Sequence, residues 1–134
     1  MRRRSLDTNR LIQIWHGKLP HPGRFGTVSS EATAVEAAQR WLRANPKDVI
    51  TTPVRLEFLG GTRDRDELTW ADVFLGEFEL LDGGDVIPQD WAEAERLARR
   101  VRRGGRSRGA IDCVIVAICT RLRADLYSDD TGLP

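Results

Sequence analysis

The stretch Ser5-Leu6-Asp7-Thr8-Asn9-Arg10-Leu11-Ile12 decides how the rest of the chain is read. A short apolar approach ends at an acid. A Thr-Asn pair follows, and Leu11, Ile12, Ile14 and Trp15 then recur at helical spacing up to Gly17. A strand over 5–7, a turn and a helix are therefore expected in quick succession. An acid at the C-terminal end of a strand stands where open α/β sheets keep their sites.

The same alternation continues outward. A loop over 18–27 carries Pro20, Pro22, Gly23 and Gly26. His16 and His21 flank its start and read as surface histidines, because the local sequence offers no further metal ligands. Ser29 or Ser30 caps a helix to Ala44, with Val35, Ala38, Trp41 and Leu42 on one face and Asn45-Pro46 ending it. Residues 48–51 read as a second strand. Thr52-Pro53 then supplies a cap and a first-turn proline. In the helix that follows, Leu56 and Leu59 are expected to face inward and Glu57 sits one turn in.

Residues 62–67 read as a charged connector and 68–81 as mostly helix. Asp82-Gly83-Gly84 is a turn, 85–87 a short strand, and Asp90 with Glu93 has capping-box spacing. Trp91, Ala94, Leu97, Ala98 and Val101 form the expected buried face of that helix, which is read as running to Gly104-Gly105. Residues 109–123 form a core helix led by Asp112, and 125–127 a last strand before an Asp-rich turn. Strands alternating with helices predict a three-layer α/β/α fold with a short, mainly parallel central sheet, in a single domain over 1–134.

Composition excludes several classes. With 134 residues, 40% hydrophobic and 31% charged, the chain suits one ordinary globular domain. No apolar run approaches the ~18 residues of a membrane helix, and no signal-peptide core follows the opening arginines, so a cytoplasmic location is expected. Cys113 and Cys119, on one helix, would be separated by roughly 9 Å of rise, too far for a disulfide. Free buried thiols are the expectation. The net charge is +1, but Arg99, Arg100, Arg102, Arg103, Arg106 and Arg108 form a basic block. A helix end accounts for Arg102 and Arg103 through its dipole but not for the arginines beyond it, so nucleic-acid contact stays open beside a solvated face.

Asp7, Glu57, Asp112 and Asp130 each follow a strand or head a helix at the same expected sheet edge. Four converging carboxylates repel one another and need a cation to stay ionised. All-oxygen ligands select Mg²⁺ or Mn²⁺ over zinc. The sequence shows no G-x-S-x-G, no P-loop, no H-E-x-x-H and no zinc-spaced cysteines. An aspartate-nucleophile phosphatase fails locally, since Asn9 stands where a second acid is needed.

Over nearly its whole length the chain resembles the PIN-domain nucleases, in particular VapC-type toxins of toxin–antitoxin pairs. The matching pieces are Leu6-Asp7-Thr8-Asn9, the segment Ile50-Thr51-Thr52-Pro53-Val54-Arg55-Leu56-Glu57-Phe58-Leu59-Gly60, the segment Ile111-Asp112-Cys113-Val114-Ile115-Val116-Ala117, and Leu126-Tyr127-Ser128-Asp129-Asp130. The resemblance implies that Asp7, Glu57, Asp112 and Asp130 bind Mg²⁺ or Mn²⁺ and activate a water against RNA. It implies roles for Thr8 and Ser128 in holding the acids or a water, and for Asn9 in bracing the turn. It further implies a cognate antitoxin lying across the groove, and a homodimer for which Trp41 or Trp70 offers an apolar surface. Asp130 fits the family's Ser-x-Asp spacing better than Asp129. Gly132-Leu133 replace the usual Asp-Phe, and the chain stops at Pro134 slightly early, so a short final element or a trimmed chain is expected. The alternative is a PIN-like scaffold that binds RNA or protein without cutting.

Overall fold

The computed structural model describes residues 2–17, 27–100 and 109–128. Among them are three strands, β1 (Arg4–Leu6), β2 (Asp48–Val49) and β3 (Asp125–Tyr127). Six helices accompany them: α1 (Thr8–His16), α2 (Glu31–Ala44), α3 (Thr52–Gly60), α4 (Arg65–Gly76), α5 (Pro88–Ala98) and α6 (Ala110–Arg121). The strands are parallel in the order β2-β1-β3, with Arg4 opposite Asp48 and Asp125, and Leu6 opposite Tyr127. The expected α/β fold with a short parallel sheet is present. Leu80 adds an isolated parallel bridge to Ile50 beyond the edge of β2.

Local chemistry explains where the helices start. Ser30 Oγ accepts the Thr33 N–H at 3.1 Å, and Thr33 Oγ1 accepts the Ser30 N–H at 3.0 Å. That reciprocal pair is a capping box with threonine in the place of the usual Glu. Gly17, at φ 76°, closes α1 in the left-handed region that glycine tolerates. Residues 62–67 are not simply a connector. Asp64 accepts the Glu67 N–H at 2.9 Å, and Glu67 reaches back to the Arg63 N–H at 2.9 Å, so α4 begins at Arg65. The charges there are a cap.

Three further expectations are corrected. Residues 85–87 form no strand, because the Asp82–Gly84 turn leads directly into α5. In α3 the buried residues are Pro53, Val54 and Phe58, while Leu56 is 65% exposed. In α5 the buried line is Asp90, Ala94 and Leu97, and Trp91 faces solvent. An acid holds the inward position because Arg121 neutralises it, with Nε–Oδ1 and Nη2–Oδ2 distances of 2.7 and 2.9 Å. Asp90 consequently serves α5 at its third position, accepting the Ile87 N–H at 3.1 Å, and the helix starts at Pro88. The helix ends at Ala98; residues 101–108, and with them most of the arginine block, lie outside the described residues.

The main core joins α1 to α4 with the sheet. Trp15, Phe58, Phe74 and Phe78 form an aromatic cluster with centroid separations of 5.1–5.5 Å, each pair worth ~0.5–1.5 kcal/mol beyond its burial. A second cluster joins α5 to α6 through Ala94, Leu97, Val114, Ala117 and Ile118. Trp41 and Trp70, expected as an exposed surface, are half-buried and pack on the main core instead. Cys113 and Cys119 are free and buried. Burial pushes the Cys119 thiol up to about 11. No helix among the described residues is long and apolar enough to cross a membrane.

Candidate metal centre

The sheet is so short that its C-terminal edge begins at once. Leu6 ends β1, and Asp7 is already the N-cap of α1 rather than the last strand residue expected. Its backbone stays extended at φ −85° and ψ 175°. Its N–H donates to the Tyr127 carbonyl at 3.2 Å, prolonging the β1–β3 pairing by one bond. Its side chain turns into the helix start. Oδ1 accepts the Arg10 N–H at 3.0 Å, and Oδ2 accepts the Ser128 hydroxyl. Asp7 is 8% exposed. Both oxygens of the carboxylate are thus held by donors.

The next residue carries the site across to α3. Thr8 Oγ1 donates to Glu57 Oε1, joining residues 49 apart in sequence. The contact exists because the aromatic cluster seats α1 against α3 through Trp15 and Phe58. Phe58 points inward, so its neighbour Glu57 points out, exposed and beside the first turn of α1. Thr8 and Ser128 thus hold the acids as the resemblance implied. Asn9 is exposed, and the Asp7 side chain caps the turn through the Arg10 N–H.

Asp112 lies in the first turn of α6, half-buried. Its N-cap, Gly109, has no side chain to offer. A Cβ placed there would meet Asp112 Oδ2 at 3.5 Å, so the carboxylate folds back over the helix start. The α6 helix packs against α3, the carrier of Glu57. Asp130, like Asp129, lies outside the described residues. The described structure therefore puts Asp7 at the N-cap of α1 and Glu57 on the hydrogen bond from Thr8, the next residue, and sets Asp112 on α6, which packs against α3. Among the described residues no three His, Cys, Asp or Glu side chains gather closely enough to hold an ion. The donor chemistry of Asp7, Glu57 and Asp112, carboxylate oxygens of which the first two residues' are steadied by hydroxyls, fits a hard divalent cation. His16 is not the surface histidine expected. It is buried at the end of α1, where the Thr27 hydroxyl donates to its carbonyl at 2.7 Å, and His21 is outside the described residues.

One residue that serves the site gave no sequence signal. Thr51, the N-cap of α3, makes no side-chain cap bond. Asp82 caps the helix from 30 residues away: Oδ2 accepts the Thr52 N–H at 3.0 Å and Oδ1 the Thr52 hydroxyl at 2.8 Å. Gly83 and Gly84, at φ 65° and 87°, turn the chain so that Asp82 also accepts the Gly84 N–H at 3.2 Å. Replacing Asp82 by Ala should lower unfolding stability by about 1–2 kcal/mol, the cost of a lost cap, and Asp82→Asn by less. Urea titration of the two variants checks this; equal stability of Asp82→Ala and the wild type would remove Asp82 from the support of α3.

The PIN domain family model matches residues 26–134, well over half of the chain. The match covers Glu57, Asp112 and Asp130 and begins after α1, so it does not cover Asp7. No curated protein matches the chain.

Proposed function

The chain belongs to the PIN-domain family, in general a family of metal-dependent nucleases, and on that premise we propose that it is an endoribonuclease toxin of the VapC type, silenced in the cytoplasm by a cognate antitoxin. The observation that carries the reading is the Thr8–Glu57 hydrogen bond. It ties the acid of α3 to the residue that follows the Asp7 cap, which supports reading the two carboxylates as parts of one site. Asp7, Glu57, Asp112 and Asp130 would hold Mg²⁺ or Mn²⁺. A bound ion of this kind lowers the pKa of water and stabilises charge on phosphoryl oxygens.

The chain's own groups do the rest. Ser128 and the Arg10 N–H fix both oxygens of Asp7, and Thr8 fixes one oxygen of Glu57. Carboxylates oriented beforehand need no reorganisation when charge develops. Arg99 and Arg100, exposed at the end of α5, together with the arginines that follow them, would meet RNA phosphates, giving binding that weakens with salt. A homodimer is part of the proposal, and with Trp41 and Trp70 packed inward, Trp91, Leu56 and Leu68 are the large exposed apolar side chains among the described residues that could serve it.

The test is cleavage of a mixed, structured RNA pool with Mg²⁺ or Mn²⁺, with and without chelator. Cutting that chelator stops supports the nuclease. No cutting and no metal uptake in a titration would favour the non-cleaving RNA- or protein-binding scaffold.

A further inference from the structure

Tyr127 ends β3, and the chain there meets Asp7 twice: the Tyr127 carbonyl accepts the Asp7 N–H, and the hydroxyl of the next residue, Ser128, donates to Asp7 Oδ2. Whatever fixes the Tyr127 ring therefore fixes two bonds to the acid. Two guanidiniums lie over that ring. Arg4, from β1, and Arg10, from α1, each place Cζ 4.0 Å from its centroid. The face of an aromatic ring attracts a cation, and more strongly where water is excluded.

Both cations are themselves held in place. Arg4 forks onto the buried Asp48, with Nε–Oδ1 and Nη2–Oδ2 distances of 2.8 Å each. Asp48 Oδ2 also accepts the Trp41 indole N–H at 2.7 Å, which ties the arrangement to α2. Arg10 Nη1 donates to Gln13 Oε1 at 2.8 Å, and its backbone N–H donates to Asp7 Oδ1 at 3.0 Å. Arg10 thus touches Asp7 with its main chain and Tyr127 with its side chain.

We propose that the Arg4–Tyr127–Arg10 stack is a positioning device for Asp7, clamping the end of β3 against the first turn of α1. None of the three side chains is a metal ligand; they act through the bonds to Asp7. The consequence for metal binding rests on the nuclease reading, while the clamp itself does not.

The experiment compares Tyr127→Phe, Tyr127→Leu and Arg10→Met. Phe keeps the ring face, Leu keeps only apolar bulk, and Met keeps the stem of Arg10 and its N–H. Amide hydrogen exchange at Asp7 and Arg10 reports the clamp, with the Arg55 N–H in α3 as the reference. Mn²⁺ titration reports the acid. Tyr127→Leu and Arg10→Met should each lose about tenfold in protection at Asp7, the size expected of one such contact. Tyr127→Phe should stay within about twofold of wild type on the same scale. Mn²⁺ affinity should fall in step. Wild-type protection in Tyr127→Leu would overturn the proposal. So would a Tyr127→Phe variant that falls as far as Tyr127→Leu, since the hydroxyl and not the ring face would then matter. A loss spread equally to Arg55 would mean general destabilisation and would overturn it too. If the wild type takes up no Mn²⁺, the metal reading fails, and the exchange pattern still decides the clamp.

Discussion

Asp7→Asn should cut metal-dependent RNA cleavage by roughly a thousandfold while leaving the fold intact. The rate loss follows from charge. Removing one anionic ligand forfeits several kcal/mol of the stabilisation an ion supplies, at about 1.4 kcal/mol per tenfold. The intact fold follows from geometry. Asn caps a helix as well as Asp, so its amide oxygen can still accept the Arg10 N–H. Its NH₂ would face the Ser128 hydroxyl, which can turn round and accept. Stability should change by no more than ~1 kcal/mol, the worth of a cap. Initial cleavage rates beside thermal unfolding curves check both halves. Cleavage at the wild-type rate would take Asp7 out of the site. Loss of rate together with the fold would make it only a cap.

The second large effect lies at the α5–α6 joint. The Asp90 side chain is fully buried and that of Arg121 is 21% exposed. Burial pushes the Asp90 carboxyl up, but the hydrogen bonds from Arg121, the Ile87 N–H and the Arg121 charge outweigh it and hold the group below its ordinary value. Breaking such a pair leaves a buried charge unmatched, at a cost of about 3–5 kcal/mol. Arg121→Met should therefore lower Tm by roughly 10–20 °C, and Asp90→Ala by less, because Arg121 keeps part of its surface in water. Asp90→Leu combined with Arg121→Met should recover much of the loss, because an apolar pair has no charge to desolvate. The pH dependence has a fixed sign. A depressed folded-state pKa gives stability that is complete above the unfolded value, about 3.9, and is lost as pH falls through the folded value. In the single variants this acid-side loss should be smaller than in wild type. Denaturant titrations at neutral and acid pH read it directly, and unchanged acid sensitivity in Asp90→Ala would assign it to other carboxylates.

The residues that were legible in sequence are those whose partners are near in the chain. Gly17 ends α1, Ser30 caps α2, and the apolar crowd around Val114 and Ile118 marks α6 as a core helix. The strand before Asp7 and its parallel setting followed from the alternation of elements. What stayed hidden depends on distant partners. Asp82 caps α3 across 30 residues, and no local pattern announces that. Trp91 reads as inward because it is apolar. The structure puts Asp90 there, since Arg121 from α6 makes a buried acid tolerable. Leu56 likewise reads as inward in α3, where Phe58 in fact meets Trp15 and Phe74 and Val54 joins the same core. Of the candidate site, Asp7 reads from its place at the end of a strand, while Glu57, one turn into the helix after a strand, is singled out mainly by the family resemblance; the Thr8–Glu57 bond depends on the packing of α1 on α3. The Arg4–Tyr127–Arg10 stack joins three elements and has no sequence signature at all.

Asp112 divides the two accounts of the site most sharply. As an acid in the first turn of α6, it has a sufficient ordinary role in opposing the helix dipole, worth ~0.3–1 kcal/mol. As a metal ligand, it would control the rate. The decisive measurement is therefore the Mn²⁺-dependent RNA cleavage rate of Asp112→Asn beside wild type, at matched folded concentration and with a chelator control. The carboxylate-nuclease account predicts chelator-sensitive cutting by the wild type and a variant slower by a hundredfold or more, on the order expected when an ion's ligand is removed, with the fold retained. Equal rates for the two proteins, or wild-type cutting that chelator does not stop, would contradict it.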